Sequence, residues 1–375
     1  MTYENVKVYN VSGVFGLHKK AVGVELGDKI MAETYRDNPG LEIYMDNGET
    51  PYVFVIPSAT ITDDFLTDSD NVVLKSDIFV VGTAYIVNGK QYTTLVAGEL
   101  TVPASGLTLG GNTVDVAFLT EGSRVYDGIS FTNVILATKV IKTVADMDAV
   151  FFNGTNITGH FVLGNDIDYN GDANLVKTYT AGDNGGAGGF MGTFDGRGHT
   201  IENYKQIQKA ETYNIFGLLR SATVENVNFT NVTINPYATS SLFARNSYGS
   251  TIRNITITNA NFTSAPVGNT GANGALLIGW FVGGQSGVGS AKFENINITM
   301  GTTQTTEGYV HNLFGAGGWE YGNINIIQVT NVNLYNVKQG NLQWICGTTN
   351  NTATVYNTLT GLHVYTDNGT TEYSF

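Results

Sequence analysis

The stretch Gly189 to Tyr204, "GFMGTFDGRGHTIENY", places Asp195, Arg197, His199 and Glu202 within eight positions of one another. A carboxylate beside an imidazole is equipment for general acid–base catalysis. Two carboxylates flanking a glycosidic bond can hydrolyse it, about 5 Å apart for retention and about 6.5–9.5 Å apart for inversion. Asp195, His199 and Glu202 are therefore the candidate catalytic group. Upstream, "NDIDYNGD" alternates the oxygen-bearing side chains of Asp166, Asp168, Asn170 and Asp172, as a calcium loop does, but without the distal bidentate Glu. A third set is aromatic: Trp319, Tyr321, Tyr248, Tyr309 and Tyr237 fall on or near turns, where their apolar faces could stack on sugar rings. No nucleophile elbow, phosphate-binding loop or zinc spacing accompanies them.

Each set also has a structural reading. Asp195-Gly196 and Arg197-Gly198 are turn dipeptides, and Phe190, Phe194 and Ile201 are spaced to enter a core. His199 would then begin a strand, bonded to a turn carbonyl. "NDIDYNGD" reads equally as a turn at the edge of a coil, and part of the aromatic set as core or subunit contact. Downstream acids are few, and Arg253 holds the repeat slot between Glu225 and Glu294, the pattern of a charge-balanced solvent face. The structural reading is the expectation for the first set, and no cofactor is expected.

The elements that must position these residues are short strands. The 375 residues carry 46 Gly, 20 Tyr and 19 Phe with only 14% charged residues, against about 25% in an average soluble domain. A formal charge of −13 without any basic run argues against a nucleic-acid surface. Cys346 is the only cysteine, so a disulfide-stapled module is excluded. No apolar run approaches the ~18 residues of a membrane span, so membrane insertion is not expected. The first residues lack a basic start followed by an apolar stretch, so the chain is expected either to begin in a cytosol or to have lost a signal.

Two textures divide the chain. Up to about residue 140, period-two apolar runs broken by Asn-Gly and Gly-Gly favour antiparallel hairpins, with Asn88-Gly89 the clearest turn. "GELTVPASGLTLGGNTVDVAFL" resembles immunoglobulin-like modules of Gram-positive bacterial and phage surface proteins. Residues 1–69 are expected to form a β-rich attachment region and 70–140 an Ig-like β-sandwich. "KTVADMDAVFFNG" then predicts one short helix, with Thr143 and Asp146 as an N-cap pair and Val144, Met147, Val150 and Phe151 on one face, covering the open end of a core.

From residue 210 the chain repeats. Aromatic Gly-rich elements such as "NIFGLLRSA" and "SLFARNSYGS" alternate with "TVENVNFTNVTI", "TIRNITITNANF" and "KFENINITMG", and Val224, Ile252 and Phe293 recur at steps of 28 and 41 residues. Units of that size without long helices predict a parallel β-solenoid over 141–375. Within "VENVNFTNVTI" the alternation slips at Thr230-Asn231, a corner, and Asn226, Asn254 and Asn295 occupy matching slots where stacked amides can form a ladder.

"LGNDIDYNGD", "FMGTFDGRGHTIENY", "NIFGLL" and "VENVNFTNV", in that order, resemble the GLUG-type family of bacterial and phage β-helix proteins. The resemblance implies an extracellular or virion-exposed β-helix and no single activity. The expected architecture is thus all-β: a right-handed parallel β-helix with a short capping helix, preceded by an antiparallel sandwich-like region. The expected role is a phage virion protein (fibre, spike or head decoration) that attaches to other virion proteins through its N-terminal region. It would display the β-helix to a host-surface glycan, as a homo-oligomer such as a trimer. The alternatives are a bacterial cell-surface adhesin and a polysaccharide depolymerase or lyase.

Overall fold

The computed structural model describes residues 40–43, 52–55, 59–119, 125–151, 156–170, 189–206, 214–234, 240–262, 275–283, 290–304, 313–314, 327–338, 359–366 and 372. These residues are mostly β, with one α-helix, and the chain divides into two compact units, Met1–Ala137 and Thr138–Phe375.

In the first unit the hairpin Ala84–Val87/Lys90–Thr93 turns at Asn88 and Gly89, with φ of 50° and 75°. Positive φ at both central residues gives the chain a twist that suits paired strands. The strand Ala84–Val87 pairs antiparallel with Gly110–Leu119, which pairs antiparallel with Val125–Leu136. The sheet is mixed rather than purely antiparallel: the free edge of Val125–Leu136 takes the short strands Ala59–Ile61 and Phe65–Thr67 in parallel. A separate antiparallel pair, Asn71–Lys75 with Glu99–Pro103, contributes Val72, Leu74, Leu100 and Val102 to the same buried cluster as Phe131, Val114 and Tyr85.

The second unit stacks its strands in parallel, the pairing pattern of a β-solenoid. Lys139–Ile141, His160–Leu163, Thr193–Asp195, Thr223–Thr230, Thr251–Phe262, Ala291–Met300, Ile327–Val337 and Leu362–Thr366 lie side by side in that order. A second parallel sheet runs through Asn156–Ile157, Gly189–Phe190, Leu218–Arg220, Ala244–Tyr248 and Ile278–Gly283. Val224, Ile252 and Phe293 are direct neighbours in register, and each is fully buried. Alternate residues point inward, so each coil adds one rung to a continuous apolar column, worth roughly 1.5–3 kcal/mol per large side chain.

The helix Val144–Phe151 forms where the N-cap pair predicts it. The Asp146 amide donates to Thr143 Oγ1 at 3.1 Å while the Thr143 amide donates to Asp146 Oδ2 at 3.0 Å, a reciprocal capping box. Burial pushes the Asp146 carboxyl up, but the Lys142 amide, the Thr143 hydroxyl and nearby Lys139 outweigh it and hold the group below its ordinary value. Met147 and Phe151 are buried, and the Phe151 ring packs against Phe161, Phe190, Phe194 and Phe216 at centroid distances of 5.2–6.0 Å. The helix thereby covers apolar rings of the first coils that would otherwise meet water.

Candidate functional site

The corners of the coils determine what the polar residues can do. Asn203, Asn226, Asn231, Asn254, Asn259, Asn295, Asn331 and Asn336 all sit at φ between 53° and 59°. An L-residue enters this left-handed region at a cost of about 1–2 kcal/mol unless, like Asn, it can bond locally. Their amides also bond from coil to coil. One ladder runs Asn331 to Asn295 to Asn254 to Asn226, each Nδ2 donating to the preceding Oδ1 at 2.9–3.2 Å, and it ends with Asn226 donating to Asp195 Oδ1 at 3.0 Å. A second runs Asn259 to Asn231 to Asn203 and ends on Asp168 Oδ1 at 2.8 Å.

Both ladders donate toward the N-terminal coils and both end on an aspartate. A carboxylate only accepts, so it terminates such a ladder without leaving an unused N–H. Asp195 Oδ1 also accepts the Arg197 amide at 2.9 Å, and Asp168 Oδ1 the Asn170 amide at 2.7 Å. The Asn203 amide first, then the Asn170 N–H, hold the Asp168 carboxyl below its ordinary value, against a small opposing effect of burial. Asp166 is held low chiefly by the Thr200 N–H at 2.8 Å, again against burial, with His199 assisting.

The opening stretch is thus a corner. Phe190, Phe194 and Ile201 are fully buried. Arg197 takes φ 53°, and a Cβ on Gly196 would lie 2.4 Å from Val227 Cβ, so that position has no room for a side chain. His199 precedes the strand Thr200–Glu202, and its amide donates to the Gly196 carbonyl at 2.8 Å. Its ring, however, meets a side chain rather than a turn carbonyl: Nδ1 lies 3.1 Å from Asp166 Oδ1. Glu202 stands in register with Asp168 and Thr230. His199 and Asp166 are therefore brought together, while Asp195 is tied into the other ladder.

The structure also brings together a group the repeats had not suggested. Asp195 is the direct register neighbour of Glu225, and Glu225 of Arg253. His160, one coil earlier, feels both acids: burial lowers its pKa, and the charges of Asp195 and Glu225 partly offset that shift. Imidazole and two carboxylates on successive coils could exchange protons with a bound substrate. Glu225 is already engaged, since Arg253 Nε and Nη2 reach its Oε2 at 2.6 and 2.5 Å.

For calcium, Asp166 and Asp168 both face solvent with oxygens committed to Thr200, His199, Asn203 and Asn170, and Asp172 lies outside the described residues. Among the described residues no group of three or more His, Cys, Asp or Glu could hold a metal ion. Of the aromatic candidates, Tyr248 is half-buried with the Arg220 guanidinium 5.7 Å above its ring; burial raises its pKa, and Arg220 and Arg245 oppose the rise. Trp319, Tyr321, Tyr309 and Tyr237 lie outside the described residues. A stacked outward pair, Tyr335 and Tyr365, with centroids 4.8 Å apart, lies on the last two strands of the long sheet and was not among the candidates.

No family model, no curated protein and no solved structure matches the chain. Among the described residues no helix is long and apolar enough to cross a membrane.

Proposed function

We propose that the chain is a structural and recognition protein of a phage particle, a fibre, spike or head decoration, with a GLUG-type right-handed β-helix as the displayed part. The observation that carries this reading is the pair of asparagine ladders. They bond the polar corners of successive coils to one another and consume Asp168 and Asp195 as terminators, which suits a rigid display body better than an active site. Right-handed winding accords with the strong preference of crossovers between parallel strands. The first unit, read as Ig-like and sandwich-like, attaches to other virion proteins, a host-surface glycan is the target, and the working form is a homo-oligomer such as a trimer. Imaging purified particles with an antibody to this chain tests the reading. Label at a fixed place on the particle supports it; label on the bacterial envelope alone would move the chain to the adhesin class.

A polysaccharide depolymerase is the second reading, favoured by the juxtaposition of His160, Asp195 and Glu225. If the purified chain releases reducing ends or unsaturated sugars from a glycan panel, and Asp195→Ala and Glu225→Gln each abolish the release, this reading replaces the first.

A further inference from the structure

The first unit contains a pocket of about 220 Å³ beside the Asn88-Gly89 hairpin. It is smaller than the roughly 300–1,000 Å³ sites that take drug-sized ligands, and its size suits one six-membered ring. Its floor is apolar, made by the buried side chains of Val87, Val102 and Val114. Its walls are Leu107 and Tyr92, both packed against the core and only partly buried. Tyr92 pairs across the hairpin with Tyr85, on the strand Lys90–Thr93 at the end of its sheet, which leaves part of its ring outside the core.

Three polar side chains complete the site. Asn88, Lys90 and Ser105 line the pocket and are exposed, offering an amide, an ammonium and a hydroxyl. The turn presents them: the left-handed φ of Asn88 reverses the chain so that Asn88 and Lys90 flank the same tight loop, while Ser105 comes from the short 3-10 turn Ala104–Gly106. A sugar ring has a C–H face that can lie on aromatic and aliphatic side chains and a hydroxyl edge that needs donors and acceptors. The Lys90 ammonium at the mouth can give a carboxylate a charge-assisted hydrogen bond, a local attraction that acts against the net charge of −13 on the chain.

The geometry points to a binding site for one pyranose ring bearing a carboxylate, an acidic monosaccharide unit. The ring lies against Tyr92 and Leu107, its hydroxyls meet Asn88 and Ser105, and its carboxylate meets Lys90. The site belongs to the first unit and is independent of where the chain is displayed.

The test titrates the intact chain with methyl glucuronoside, methyl glucoside and benzoate, followed by ligand-observed NMR. A ligand of this size in a shallow site should bind with a dissociation constant on the order of 1 mM. The glucuronoside is expected to bind more tightly than the other two. Tyr92→Ala should weaken it by about ten-fold, with Tyr92→Phe retaining binding. Lys90→Gln, at an exposed position where substitutions ordinarily change stability little, should reduce the glucuronoside to the affinity of the neutral glucoside. The proposal is overturned if the glucuronoside shows no binding up to about 30 mM, if benzoate binds as well, or if Lys90→Gln and Tyr92→Ala leave binding unchanged. None of these results would affect the particle-imaging test.

Discussion

Replacing Asn254 tests whether the ladders hold the solenoid together. Asn254 donates to Asn226 Oδ1 at 2.9 Å, accepts from Asn295 Nδ2 at 3.2 Å, and sits at φ 55°. Both bonds are solvent-exposed, so about 0.5 kcal/mol each, about 1 kcal/mol together, is the appropriate scale. Alanine loses both bonds and also bears the left-handed strain of about 1–2 kcal/mol, for a total near 2–3 kcal/mol. Glycine loses the same bonds and tolerates the φ, but adds about 0.5 kcal/mol of chain entropy, for a total near 1.5 kcal/mol. All three tryptophans, Trp280, Trp319 and Trp344, lie in the second unit, so their fluorescence during urea unfolding reports on the solenoid. The midpoint should fall in the order wild type, Asn254→Gly, Asn254→Ala, at unchanged slope. Glycine as costly as alanine would refute the conformational argument, and both variants within about 0.3 kcal/mol of wild type would refute the ladder itself.

Asp195→Asn keeps an acceptor facing Asn226 and should cost no more than about 1 kcal/mol in the same assay, whereas Asp195→Leu, which leaves the Asn226 and Arg197 donors unmet, should cost about 2 kcal/mol or more. Asp166 and Asp168 are held below their ordinary 3.8, so they stabilise the folded chain above that pH, and the contribution is lost as pH falls through the lowered values. The unfolding midpoint should therefore decline below about pH 4, beyond the loss that begins below 6.5, where His160, its pKa lowered by burial, opposes protonation of the folded chain, and Asp168→Asn should make the decline below about pH 4 shallower. Thr143→Ala removes the helix cap at about 1 kcal/mol, and Phe151→Ala, which opens the rings beneath it, should cost about 3–5 kcal/mol; calorimetry should rank them in that order.

Much of the second unit was legible because its signals are local and repeated. The helix follows from Thr143 and Asp146 three residues apart, and the register of Val224, Ile252 and Phe293 from matching apolar phases. The Asp195–Glu225 pairing was not legible, for a countable reason. Asp195 pairs with Glu225 and Thr200 with Asn228, so the four residues 196–199 lie opposite only 226 and 227. The Gly196–His199 turn inserts two residues into the coil that carries Asp195 and puts its acid out of phase with the later repeat. The mixed sheet of the first unit escaped for another reason. Ala59–Ile61 pairs in parallel with residues about 70 positions away, and a parallel pairing leaves no turn dipeptide to mark it.

The ladder also explains how coils of unequal length share one scaffold. From Asn226 to Asn254 the step is 28 residues, to Asn295 it is 41, and to Asn331 it is 36, yet the connecting bonds stay at 2.9–3.2 Å. Lengthening a flexible loop from 28 to 41 residues adds only about 0.3 kcal/mol of closure entropy. A single exposed hydrogen bond at the corner, at about 0.5 kcal/mol, is enough to offset it. The corner register is therefore insulated from whatever is inserted between corners. Tyr309, Trp319 and Tyr321 all fall between Asn295 and Asn331, in one of the lengthened coils. If recognition varies among chains of this kind, the thermodynamically inexpensive place for it is in those insertions, while Asp168, Asp195 and the corner asparagines hold the frame.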